Sequence, residues 1–93
     1  MSHRYPWQID RAAWEVEHAA MHRKANTIPD YNVRHDLYRM LANLDKMYSE
    51  VIHEEVYCRM RSRQSYLHKR LIKEYNETKQ ILHEHIVWGM LLT

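Results

Sequence analysis

The chain has 93 residues and a mass of 11.5 kDa, which fits one domain (1–93). Its composition is skewed: one glycine, two prolines, no phenylalanine, seven tyrosines, eight histidines and one cysteine, with a formal net charge of +2. With 45% apolar residues it is not a disordered chain, and one glycine excludes the Gly-rich phosphate loops and turn-rich sandwiches. The lone Cys58 excludes an internal disulfide framework and fits a reducing, cytoplasmic setting. A domain this small buries only about 60–65% of its unfolded surface and tends to need a metal or a partner chain.

No stretch approaches the ~18 apolar residues that span a bilayer, so no membrane association is expected. The expected class is all-α, a small helical bundle. The predicted elements begin with a first helix at about 7–26. Ile9, Ala13, Val16 and Ala20 form one stripe at helical spacing, and Trp7, Trp14 and Met21 form a second on nearly the opposite face. Two apolar faces predict a helix sandwiched between neighbours.

Thr27 with Asp30 three residues later fits a helix-capping pattern around Pro29, which predicts a second helix over 28–60. Leu37, Leu41, Leu44, Tyr48 and Val51 share one direction at 100° per residue, whereas Met60, Leu67, Leu71, Tyr75, Thr78 and Leu82 cluster roughly 150° away. Either the chain breaks near Arg61–Ser65 and a third helix covers 64–88, or a short helix precedes one very long helix that buries opposite faces. The three-helix reading is favoured, with serines capping the new start. Gly89 is placed as the last helix's C-cap, and the tail 86–93 is strongly apolar.

Charge is unevenly spread. Residues 30–55 carry a net −3, and residues 56–73 carry +6 with no acid among them. Arg59, Arg63, Tyr66, Arg70 and Lys73 fall on one helical stripe, a pattern suited to tracking the phosphates of DNA or RNA. The competing reading sets that stripe against Asp45, Glu50, Glu54 and Glu55.

Eight histidines raise metal binding. Glu15, His18 and His22 share a helical face, with His18 and His22 at the i, i+4 spacing that chelates zinc. Glu15-x-x-His18 and Glu50-x-x-His53 resemble the paired Glu-x-x-His helices of ferritin-like di-iron proteins, over two four-residue windows. That resemblance implies two further inward glutamates. A metal remains the weaker alternative, and no cofactor is expected. No catalytic constellation is visible, and Cys58 reads as a small buried hydrophobe.

The functional expectation is therefore a non-enzymatic helical interaction protein, a small adaptor, inhibitor or regulator that meets a partner protein. It is expected to assemble as a homo-oligomer, a dimer in the first place. The expected interface residues are Trp7, Trp14, Met21, Trp88, Met90, Leu91 and Leu92, of types enriched in interface cores. Nucleic-acid binding through the basic stripe is the alternative.

Overall fold

The computed structural model describes residues 5–91 and is all-helical, with no strand among the described residues. Three helices follow in order: α1 (Arg11–Asn26), α2 (Tyr31–Arg61) and α3 (Tyr66–Leu91). The long α2 and α3 form an antiparallel hairpin, and α1 lies against both in a body of 49 × 26 × 15 Å. No described helix is long and apolar enough to cross a membrane.

Each boundary has a local cause. Asp10 caps α1 by accepting from the Ala13 N–H at 3.1 Å. Asp30, and not Thr27, caps α2 by accepting from Val33 N–H at 3.1 Å, so this helix starts at Tyr31. Thr27 instead ends α1, its hydroxyl donating to Lys24 C=O at 2.7 Å. The expected start at 28 fails because Asp30 is itself the better cap and Pro29 favours extended backbone before it. Ser62 closes α2 in the left-handed region (φ 55°), with its N–H on the carbonyls of Arg59 and Cys58. Ser65 Oγ then accepts from His68 N–H at 3.0 Å and opens α3.

The break at 62–65 settles the phase problem without a second chain. From α2 the seam uses Leu37, Leu41, Leu44, Tyr48, Val51, Glu55 and Cys58, alternating steps of four and three. From α3 it uses His68, Tyr75, Leu82, Ile86 and Gly89, all buried. Met60, at 77% exposure, and the half-exposed Leu67 stay outside the core, contrary to the sequence stripe. The out-of-phase stripes are therefore no sign of an assembly.

The first helix is one-faced. Met21 and Ala25 are buried and Trp14 is half-buried, whereas Ala13 and Val16 face solvent. Both neighbours lie on that single face, so no sandwich is needed. Gly89 is not a cap either: it lies inside α3, where a Cβ would come within 2.8 Å of Ile28 Cδ1 and 3.1 Å of Val33 Cγ1. The glycine makes a notch into which the α1–α2 connection presses Ile28, itself fully buried.

Candidate functional site

Three features stand out once the side chains are placed. The first is a cleft of about 400 Å³ between α1 and the hairpin, lined by Trp14, His18, His22, Asp45, Tyr48 and Tyr75 among others. Each helix sends one aromatic ring to its floor. Trp14 stacks on Tyr75 with centroids 4.2 Å apart and planes within 9°, and Tyr48 leans on both rings at 6.0 and 6.2 Å. Lys79 lies over Trp14 and Tyr75 and also holds Glu17 of α1 at 2.9 Å. Burial pushes the Tyr75 phenol up to about 12, with Glu17 adding in the same direction.

On the cleft's polar wall, His18 Nε2 lies 3.1 Å from His22 Nε2 and 3.1 Å from Asp45 Oδ1. One nitrogen or oxygen from each residue falls within 4.8 Å of the others. Glu15, the sequence candidate for this cluster, is turned away: its carboxylate accepts from Tyr48 Oη at 3.2 Å. Asp45, one helix over, takes its place. Burial lowers the pKa of His18, opposed by Asp45 and reinforced by His22. Its Nδ1 is buried without a hydrogen-bond partner. Glu50 and His53 line a different groove with Leu67, Arg70 and Leu71, so the two Glu-x-x-His windows do not combine in one ligand group.

The second feature is a closed polar knot at the hairpin turn. Glu55 and His68 are both buried, with Glu55 Oε1 3.2 Å from His68 Nε2 and accepting the Ile9 N–H at 3.0 Å. Gln64 covers His68 Nδ1 at 2.9 Å. Trp7 seals the knot edge-on to His68 at 5.5 Å, backed by the stacked Tyr5 ring, whose hydroxyl donates to Ser62. The sequence offered Glu55 to the basic stripe; the fold gives it to His68. Its signal was available, because Glu55 continues the four–three spacing of Leu41 and Tyr48. Cys58 is buried beside Ser65, its thiol donating to Ser65 Oγ at 3.4 Å.

The third feature is the exposed surface. The basic stripe is split by the turn: Arg59 ends α2, Arg63 lies in the turn, and Tyr66, Arg70 and Lys73 start α3. All five are exposed, and Arg70 is paired to Glu74 at 3.6 Å. Of the expected interface residues, Trp7, Trp14 and Met21 turn inward and serve the chain's own packing. Trp88 (64% exposed), Met90 and Leu91 (70%) face outward, and Leu92 lies outside the described residues. Trp88 borders a cleft of about 310 Å³ lined also by Val33, Leu37, Met40 and Gly89.

Comparison with family models, with curated proteins and with solved structures finds no match. What the chain does must be argued from these side chains.

Proposed function

We propose that the protein is a non-enzymatic helical interaction module that works as a homodimer through the outer face of α3. The observation that carries this reading is the order of residues on that face. Tyr66, Arg70, Lys73, Glu77, Ile81, Glu84, Trp88 and Leu91 fall within about 80° of arc on the helix. All are exposed, including four large hydrophobic side chains. Burial of the opposite face leaves these four without a role in the chain's own core.

The face is complementary to itself. Cations occupy its N-terminal half (Arg70, Lys73), Glu77 lies near the centre, and Glu84 with Trp88 occupies its C-terminal half. Laying α3 antiparallel on a second copy, centred between residues 78 and 79, sets Tyr66 opposite Leu91 and Lys73 opposite Glu84. The same register brings Arg70 within one residue of Trp88 and Glu77 within one residue of Ile81. Arg on Trp is a favourable cation–π pair, and Lys73 with Glu84 adds charge pairing that fixes the register. The same two copies in parallel would set like charges together. A dimer surface of this kind is the platform of an adaptor or regulator.

Sedimentation equilibrium at tens of micromolar tests it, with an expected mass of about twice the 11.5 kDa chain. Trp88→Ala and Lys73→Glu each return the monomer mass, and Lys73→Glu combined with Glu84→Lys restores the dimer. A wild-type monomer, or a double variant no better than the single one, refutes the reading.

A second reading, binding of DNA or RNA phosphates, is favoured by one observation. Arg59, Arg61, Arg63, Lys69 and Lys73 are exposed at the turn end and make no ion pair among the described residues. It requires binding to generic nucleic acid that collapses with rising salt and weakens in Arg63→Ala.

A further inference from the structure

We infer that His18, His22 and Asp45 form a binding site for one divalent transition-metal ion, zinc in the first place, which clasps α1 to α2. The geometry suits the ion. Zinc holds imidazole nitrogen and carboxylate oxygen at 2.0–2.2 Å, so two ligands on a tetrahedral centre lie roughly 3.3 Å apart. His18 Nε2 is 3.1 Å from both His22 Nε2 and Asp45 Oδ1, and the three donor atoms span no more than 4.8 Å. The site needs only small rotations of two side chains on the cleft wall to close.

Protons alone satisfy this cluster poorly. If His18 Nε2 carries a hydrogen and gives it to Asp45, His22 Nε2 receives no hydrogen of its own from that contact. If His22 Nε2 donates to His18 Nε2, the latter's lone pair leaves Asp45 Oδ1 facing an acceptor at 3.1 Å. A second proton on His18 would sit on Nδ1, which faces no acceptor, and would leave the conflict at Nε2 unchanged. The buried Nδ1 has no partner to select a tautomer. One cation at the shared point uses all three lone pairs at once, and neutral imidazole is the form that binds it.

The donor set also fixes the class of ion. Two imidazoles and one carboxylate suit zinc and its first-row neighbours, whereas calcium and magnesium demand mainly oxygen ligands. All three residues line the cleft of about 400 Å³ that Trp14 and Tyr48 also line, which leaves room for a water as a further ligand. Because the histidines come from α1 and the carboxylate from α2, the ion joins the helix with the fewest buried residues to the hairpin.

The test uses the full chain with any histidine tag removed and metal stripped by chelator, titrated with zinc chloride by calorimetry. Cobalt chloride is run in parallel, since its visible absorption reports coordination. The expected result is one ion per chain, and a thermal midpoint that rises with zinc. His22→Ala and Asp45→Asn are each expected to lose about tenfold or more in affinity. Both side chains are solvent-accessible, and circular dichroism and the metal-free midpoint verify that these variants fold. His53→Ala, outside the site, is expected to bind as wild type. Absent zinc binding at about 100 μM overturns the site, as does equal binding in His22→Ala and Asp45→Asn, or an equal loss in His53→Ala.

Discussion

The molecule holds two histidine neighbourhoods, and they are built on opposite plans. At the turn, His68 has both ring nitrogens answered, by Glu55 and by Gln64, with Trp7 over its edge and no solvent exposure. In the cleft, His18 has two groups crowding one nitrogen and nothing on the other. A histidine whose hydrogen-bonding capacity is used up inside the chain holds structure. One whose lone pairs converge unanswered beside open space is prepared for something from outside. Burial separates the two only in degree, with side-chain exposures of 0% and 16%; the partner count at each nitrogen separates them in kind.

The comparison can be broken hardest at Glu55. Glu55→Ala strands the Ile9 N–H and His68 Nε2 in a dry site, and is expected to cost about 3–5 kcal/mol in urea unfolding. A smaller effect belongs to the cleft. The fold holds the Tyr75 phenol neutral, since its value lies near 12 and not at the ordinary 10.0. Stability from this group is complete below pH 10 and is lost as pH rises to about 12. The expected loss is about 1–2 kcal/mol, below the full linkage value because the cleft admits water beside the ring. Unfolding curves across that range should show the step in wild type and lack it in Tyr75→Phe. The smallest effect is expected where the cleft's polar wall is cut. Without metal, His22→Ala and Asp45→Asn should each shift stability by less than about 0.5 kcal/mol, because Asp45 is well exposed. A loss at His22 or Asp45 as large as at Glu55 would make both neighbourhoods structural.

The sequence made some of this visible. Apolar phase favoured three helices with a break at 61–65 over one very long helix, since a buried stripe cannot jump by 150° within one helix on a single core, although Met60 and Leu67 of the second stripe lie outside the core. Boundaries were less legible, because Thr27 and Asp30 both fit a cap and only the backbone path chooses between them. The composition of the first helix suggested two faces, yet alanines at 12, 13 and 19 are as content in water as in a core. The pair His18 and His22 was readable from local spacing. Asp45 was not, because nothing in the order of residues says which turn of α2 meets which turn of α1. Glu55 and His68 were hidden for a different reason. Their charge points to a solvated or ion-pairing face, although a polar residue on an apolar seam is itself the sign of a buried partner.

Ile28 in the notch at Gly89 has a mechanical consequence. The connection between α1 and α2 is pegged to the far end of α3 by one side chain, while α1 beyond it rests mainly on Met21, Ala25 and the ring stack at Trp14. The first helix is thereby pinned at both ends, by Ile28 in the notch behind it and by Ile9 on Glu55 with Trp7 on His68 ahead of it. It lies across Tyr75 as a strap buckled at either end, and neither end can lift without opening a buried contact.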